Sequence, residues 1–557
     1  MEWTPDVELS DFIRHLALQN SLQYAGEGQA GSVISRIMSS RTDLRQHGRS
    51  IAPLVAKEVA KANAFAKSDG LEAIQAILEV EAPQLLEKKV QTRREGLPEL
   101  PNVVAGVKPV FRFAPNPNGL LSFGHSRGLI INGMYAKKHD GELILRFDDT
   151  DTTIKPPLMS AYEEIPKEQE WLCGFPAHRI IFASDRIPVY HEYIAKMLNG
   201  EFGYICTCPA DDFKVHRVGM TQCPCRDNSV ENNLEKWQKM NHDNGFQPGE
   251  AVVRVKTDMT LKNPALRDWP AARIQTKTHP RVGNSYRVWP LLDFQSAVED
   301  HLQGVTHIIR GKDLMDSTRK QTLLYAHFGW HYPETIYWGR VKVHEFGGFS
   351  TSQMRRDIEA GTYSGWDDIR LPTLAALSRR GIQPKALEGF WIELGLTQKD
   401  IAVPLSTLYS HNTKIIDSTS PRLAFIRNAT PMVLTGDLQR SGELAAHPNI
   451  DLGKRQYQFD KGVWIEAEDC GKAVRLMDLC DIDSEGNVES IDRSDKRPVI
   501  HWVAGGSPST LRIAKGNDKV TFEGILENHS HPIGTIVQLE RIGYAIIEEA
   551  GLLMVHD

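Results

Sequence analysis

The sequence has no run of about 18 apolar residues, so no segment is expected to span a bilayer. It has no Gly-x-x-x-x-Gly-Lys-Ser/Thr loop, which counts against a P-loop nucleotide hydrolase. Its opening residues, Met1-Glu2-Trp3-Thr4, lack a basic stretch followed by an apolar one. No secretory signal is expected, and a cytoplasmic location is. It has no surplus of positive charge: 65 Lys and Arg against 71 Asp and Glu give −6. A chain that coats nucleic acid indiscriminately is thereby excluded, although a local basic groove is not. The 43 Gly and 30 Pro are scattered, so collagen-like and low-complexity chains are excluded too. No internal repeat is visible. What remains is a globular chain of 557 residues, 41% hydrophobic and 24% charged. At roughly 150 residues per domain it holds about three to four domains.

Cysteine is scarce, with seven in all, yet four crowd into one stretch at Cys206, Cys208, Cys223 and Cys225. Without a signal peptide this pattern reads as a metal site rather than a disulfide framework. Two Cys-x-Cys pairs can each chelate, and four thiolates suit one tetrahedral Zn²⁺. His216, between the pairs, could replace one ligand. Four protein ligands leave no open position, so the site is expected to be structural. Cys173, Cys470 and Cys480 are isolated and read as small buried hydrophobes.

Periodicity divides the chain. Leu9, Phe12, Ile13 and Leu16, then Val55, Val59 and Ala62, then Leu71, Ile74, Ile77 and Leu78 follow the helical period, so residues 1 to about 87 read as helices. Lys88, Lys89, Arg93 and Arg94 form a basic linker interrupted by Pro98 and Pro101. A strand at Val110–Phe113, a turn from Ala114 to Gly119, a helix at Gly124–Lys138 and a strand at Leu143–Phe147 make a βαβ unit. Its loop lies where open α/β sheets bind ligands. Helical patterning returns from Trp366 to Leu396. After Ile415 short β runs punctuated by Gly, Asp and Asn suggest β-barrels.

The loop Phe113-Ala-Pro-Asn-Pro-Asn-Gly-Leu-Leu-Ser-Phe-Gly-His-Ser-Arg-Gly128 carries the chemistry. Two prolines stiffen it. Gly119 and Gly124 permit close approach of a planar or phosphate group. The helix N-terminus that follows is an anion site, and His125 on its first turn can donate to a phosphate oxygen.

This string resembles the first signature loop of class I aminoacyl-tRNA synthetases in the glutamyl/glutaminyl form, with Ser122 in place of the motif's first His. Similar to that subfamily, in colinear order, are Arg146-Phe-Asp-Asp-Thr-Asp151, Arg226–Leu234, Trp289–Phe294, Gly304–Asp313, Tyr337–Val341 and Ser350-Thr-Ser352. With a helical N-terminus and a β C-terminus, the chain is similar to the archaeal-type glutamyl family. The resemblance implies an α/β multidomain fold with the following order: helical extension and linker 1–100; Rossmann-like catalytic halves 101–203 and 283–345; acceptor-stem insertion with the four-cysteine site 204–282; signature loop and helical connector 346–415; β-barrel anticodon-binding region 416–557. It implies ligation of glutamate to tRNA through glutamyl-adenylate, with ATP–Mg²⁺ and one structural zinc. The partners implied are L-glutamate and tRNA(Glu), with tRNA(Gln) left open as a second acceptor. A glutaminyl enzyme or an inactive tRNA-binding paralogue are the alternatives.

The resemblance also assigns residues. Arg112 contacts the substrate's carboxylate and Asp148 its α-ammonium. Asn116, Pro117, Asn118, Gly124, His125 and Ser350 hold ATP, and Arg340 and Val341 lie against adenine and ribose. Ser122 and His125 act in catalysis. The second signature loop places Thr351 where the family has a Lys, so Arg355 or Arg356, and failing these Lys342, is expected to face the leaving pyrophosphate. Arg310 pairs with the γ-carboxylate of glutamate, unless Asp313 or Glu299 claims it. Leu292 and Ser296 stand where glutaminyl relatives recognise an amide, and neither side chain suits that task. Lys454, Arg455, Tyr457, Phe459 and Trp464 suit stacked RNA bases, or else a core.

Overall fold

The computed structural model describes residues 5–41, 44, 47–86 and 96–557, apart from the side chains of residues 39, 40 and 49. The expected basic linker Lys88, Lys89, Arg93 and Arg94 and the opening Met1–Thr4 lie outside the described residues. The chain divides into two units, Met1–Arg93 and Arg94–Asp557. In the first, helices α1 (Val7–Gln23), α2 (Ala30–Ser40), α3 (Gly48–Asp69) and α4 (Leu71–Glu81) bury the periodic residues Leu9, Ile13, Leu16, Val55, Val59, Ile74 and Leu78 in one core. Asp6 caps α1 by accepting from the Leu9 N–H at 2.8 Å.

The second unit begins with the parallel strands β1 (Val110–Phe113), β2 (Glu142–Phe147) and β3 (Arg179–Phe182). Between them run α5 (Phe123–Lys138) and α6 (Met159–Cys173). Both faces of β2 are buried, as a parallel sheet covered by helices requires. After α7 (Ile187–Asn199) the chain forms an antiparallel sheet of β4 (Gly203–Cys206), β5 (Val252–Val255), β6 (Pro270–Ile274) and β7 (Val288–Pro290). The helices α8 (Ala210–Gly219) and α9 (Val230–Asn241) lie between β4 and β5. This sheet continues to Pro290, beyond the expected insertion limit at 282.

Helix α10 (Leu292–Leu302) leads into a second parallel pair, β8 (His307–Gly311) and β9 (Glu334–Trp338), joined by α11 (Met315–Phe328). Thr306 ties this pair to β1: its N–H donates to the Val110 carbonyl at 3.0 Å, and its hydroxyl accepts from the Val110 N–H at 2.9 Å. From β1 the chain winds one way and from β8 the other. Such a switch point leaves a crevice beyond the carboxyl ends of both strands.

The connector holds β10 (Val341–Val343), α12 (Thr351–Glu359), α13 (Leu374–Arg379), α14 (Pro384–Leu394), β11 (Ile401–Val403) and α15 (Ser406–Ile416). The helical stretch expected from 366 to 396 is two helices. Gly381 takes a left-handed φ of +83° after α13, and Pro384 starts α14.

Beyond residue 420 the expected β region is present. A seven-stranded sheet has Arg422–Leu423 on one edge and Phe425–Arg427 on the other. One continuous segment thus supplies both edges, and the sheet curls into a near-closed barrel. Among the described residues no helix is long and apolar enough to cross a membrane.

Candidate active site

Three arginines meet at the crevice. Arg112 on β1 and Arg146 on β2 both pair with Asp300 of α10. The Arg112 nitrogens lie at 3.3 and 3.4 Å from its carboxylate, and Arg146 Nη1 at 2.7 Å. Arg146 also donates to Asp148 Oδ1 at 2.8 Å and to Ser296 Oγ at 2.7 Å. Asp148 accepts a further bond from Gln295 Nε2 at 2.9 Å. Burial alone would raise the Asp300 pKa, but the Arg112 and Arg146 charges hold it below the ordinary carboxylate value.

Arg310, near the end of β8, is 6% exposed. Its Nη2 donates to Thr318 Oγ1 at 2.5 Å, Gln321 Oε1 at 3.0 Å and the Tyr332 hydroxyl at 3.1 Å. Its buried Nε has no partner, and no carboxylate among the described residues pairs with it. Neither Asp313 nor Glu299 claims it, and Glu299 instead pairs with Arg186. Burial and the neighbouring Arg112 charge lower its pKa. A buried guanidinium held on one side by neutral acceptors has the charge and free donors to receive an anion on the other. Leu292 opens α10 and is about half exposed.

The loop after β1 is fixed from several sides. Asn116 Nδ2 donates to the Asp148 carbonyl at 3.0 Å, and Asn118 Nδ2 to Ser352 Oγ at 2.9 Å. Pro117 accepts from the Leu158 N–H at 2.8 Å. Leu121 donates to buried Glu168 Oε2 at 3.0 Å. A Cβ added at Gly119 would stand 2.3 Å from the Trp366 ring and 2.7 Å from Thr351 Cγ2, so only glycine fits there. At Gly124 the same atom would meet nothing nearer than Ser122 Oγ at 3.9 Å, which leaves a cradle at the helix start.

Ser122 and His125 form a reciprocal cap on α5. His125 Nδ1 accepts from the Ser122 N–H at 3.1 Å. In the neutral ring the proton therefore sits on Nε2, a donor directed away from the cap. Burial and the charge of Lys155 push the imidazole down to about 4, so it stays neutral at pH 7.

Arg127, two residues farther along α5, donates to the Gly339 carbonyl at 2.8 Å and brings Arg340 and Val341 to this end of the crevice. The Arg340 N–H donates to Asp400 Oδ1 at 2.7 Å, and its side chain is exposed. Ser350 caps α12. Arg355 is held by Glu359 and by the Pro156 carbonyl, each at 2.8 Å, and Arg356 donates to Gln353 Oε1. Lys342 is an exposed residue of β10.

The four cysteine sulfurs lie within 4.8 Å of one another at the end of β4. Cys206 and Cys223 are 3.9 Å apart, and Cys208 and Cys225 3.7 Å. Sulfurs bound at about 2.3 Å to one tetrahedral ion stand about 3.8 Å apart, so the cluster fits Zn²⁺. The hydrogen bond between Cys206 and Cys223 raises the Cys206 thiol and lowers Cys223 to about 5. His216 is outside the cluster, hydrogen-bonded to Thr221.

In the C-terminal region Lys454, Arg455, Tyr457 and Trp502 line an open cavity of about 800 Å³. Arg455 is nevertheless paired with Glu527 and Glu540, Phe459 is buried in a core, and Trp464 lines a different cavity.

Sequence reasoning left Arg146, Gln295, Asp300, Gln321 and Tyr332 without roles. The available signal was Arg146 and Asp148 two residues apart, on one face at a strand end.

Residues 108–418 match the family described as tRNA synthetases class I (E and Q), catalytic domain, and residues 420–499 match that family's anti-codon binding domain. The chain is 42% identical to a protein named glutamate–tRNA ligase from Methanothrix thermoacetophila, over 98% of each chain. It is 40% identical to the Methanosarcina mazei protein of that name, over 96% of each. With the one from Archaeoglobus fulgidus the identity is 39%, over 97% of this chain and 98% of that one.

Proposed function

The chain belongs to the class I tRNA synthetases of the E and Q family, and from that premise we propose that it ligates L-glutamate to tRNA(Glu) through glutamyl-adenylate. The observation that carries this reading is Arg310, a buried guanidinium with no carboxylate partner among the described residues. Around it Arg112, Arg146 and Arg310 face Asp148 and Asp300, a surplus of one positive charge. Glutamate, with two carboxylates and one ammonium, supplies the missing negative charge. Asp148, next to the Arg112–Asp300 pair, suits the α-ammonium, and Arg310 suits the γ-carboxylate. A glutamine amide would set N–H donors against the guanidinium, which disfavours the glutaminyl alternative.

One oxygen of the α-carboxylate attacks the α-phosphorus of ATP, the bond to the β-phosphate oxygen breaks, and pyrophosphate leaves with that electron pair. The nucleophile is already ionised, so no general base is needed and the protein positions groups and stabilises charge. The neutral His125 donates from Nε2 to a phosphate oxygen, Gly124 lets the triphosphate approach the helix start, and Asn116, Asn118 and Ser350 fix the flanking loops. Mg²⁺ bound with ATP supplies positive charge to the phosphates. The adenylate is then attacked by a terminal ribose hydroxyl of the tRNA, and AMP leaves.

The deciding assay is aminoacylation of purified tRNA(Glu) and tRNA(Gln), each with glutamate and glutamine. Charging of tRNA(Glu) with glutamate is expected, and glutamine transfer in its place would refute the reading. No observation favours tRNA(Gln) as a second acceptor.

The cysteine cluster supports a structural zinc that pins the insertion. Elemental analysis of protein purified without chelator should find about one zinc per chain. Cys223→Ser should lose it and weaken tRNA binding more than ATP binding. Four freely titrating thiols and no metal would end this assignment.

A further inference from the structure

The segment 151–158 crosses the phosphate end of the crevice. Asp151 Oδ1 caps its first turn by accepting from the Thr153 and Ile154 N–H groups, both at 2.9 Å. The Thr153 hydroxyl reaches Gln275 at 3.1 Å. At the far end the Leu158 N–H bonds to the Pro117 carbonyl of the first signature loop, and the Pro156 carbonyl accepts from Arg355 of the second. The segment is therefore strapped to both signature loops. Directly before the strap at Pro156 stands Lys155, exposed and without a carboxylate partner among the described residues. Its charge is felt at His125, where it and burial depress the imidazole to about 4. The two arginines expected to face pyrophosphate are held otherwise: Arg355 by Glu359 and Pro156, Arg356 by Gln353.

We propose that Lys155 is the cation that meets the leaving pyrophosphate, in place of the signature-loop lysine whose position holds Thr351, and that Arg355 is a positioning residue that holds the Lys155 segment against α12. This rests on the adenylate chemistry proposed above. When the bond between the α-phosphorus and the bridging oxygen breaks, that oxygen gains negative charge. An ammonium donor on a segment tied to both loops meets that charge as it forms. No proton need transfer, because the lysine acts through its existing charge.

The test is steady-state charging of tRNA(Glu) by the full chain, with product inhibition by inorganic pyrophosphate measured alongside. Lys155→Ala should lower kcat by about 10²-fold with little change in the glutamate KM, and weaken pyrophosphate inhibition by about tenfold or more. Lys155→Arg should restore most of both. Arg355→Ala should lower kcat by about tenfold, less than Lys155→Ala. A Lys155→Ala chain with kcat near wild type overturns the assignment. So does one that loses kcat yet is inhibited by pyrophosphate like wild type, since Lys155 would then only shape the loop. A wild-type chain unable to charge tRNA(Glu) would refute the functional reading itself. An active wild type with an indifferent Lys155→Ala refutes only this inference.

Discussion

The two ends of the crevice are built on opposite plans. At the amino-acid end Arg112, Arg146, Asp148, Asp300 and Arg310 are each at most 7% exposed, stand on or beside regular elements and are fixed by one another or by neutral acceptors. At the phosphate end His125 is half-buried in the first turn of α5, Lys155 is exposed on a loop, and Arg356 is exposed in the last turn of α12. A dry, mutually braced charge set can reject a wrong side chain before any reaction, because each group's geometry is fixed in advance. Exposed charge serves a different need. In the proposed reaction it meets an anion that exists only as pyrophosphate departs, and rigid burial without that anion would be costly.

Breaking the brace should give the largest effect. Asp300→Ala leaves Arg112 and Arg146 buried without their shared partner and should destabilise the chain by about 3–5 kcal/mol, read as a lower urea midpoint. A loss under about 1 kcal/mol would mean that the two guanidiniums find water, and the contrast between a dry end and an open end would fail.

Next comes the receptor itself. Arg310→Ala should cut kcat/KM for glutamate by about 10³-fold, and for glutamine by at least about tenfold less, because only the carboxylate is left buried and unpaired. Equal losses for both amino acids would show that Arg310 does not read the side chain.

A change confined to the other end should split the kinetic constants. Gly119→Ala drives a methyl into the Trp366 ring and Thr351, so the first signature loop or the start of α12 must shift. The expected result is a kcat lower by about 10²-fold with the glutamate KM unchanged, the signature of a misplaced reacting group. A raised glutamate KM would mean that the two ends are mechanically one.

The sequence made these two ends unequally legible. The strand–loop–helix at the phosphate end is recognisable because Pro, Gly and Asn fix its turns, and β1, α5 and β2 begin and end within one residue of the positions expected. Arg112, Asp148 and Arg310 could be singled out because each stands at or near a strand end. Their bracing was not visible. Gln295, Ser296, Glu299 and Asp300 look like the polar face of a surface helix, and only tertiary packing buries them, Asp300 against Arg112 and Arg146 and Glu299 against Arg186. Lys155 stands in a segment with no periodicity, where a lone basic residue reads as solvated. In the C-terminal region strands such as Ser441–Ala445 and Val499–Ile500 escaped notice. They are short, and their partners are set by tertiary pairing that local pattern does not contain.

The smallest expected effect concerns Glu168, which connects the two plans: a buried acid, as at the amino-acid end, that holds a phosphate-end loop. Its Oε2 accepts from the Leu121 N–H, and its buried Oε1 has no hydrogen-bond partner among the described residues. Burial raises its carboxyl to about 8, against the lowering pull of the Leu121 and Ala375 N–H groups. In the unfolded chain the same group titrates near 4.5. Between those values the folded chain keeps a proton that the unfolded chain has lost, so folding binds protons there. The stabilisation from the neutral acid is fully present below the unfolded value and is lost as pH rises toward 8. Glu168→Gln keeps the shape, cannot ionise and should remove that loss. Its urea midpoint should gain steadily on wild type as the pH rises from about 5 to about 8. Parallel pH profiles for the two chains would mean that Glu168 is already ionised when folded, and that the first signature loop is held by a charge, as at the amino-acid end, rather than by a neutral acid.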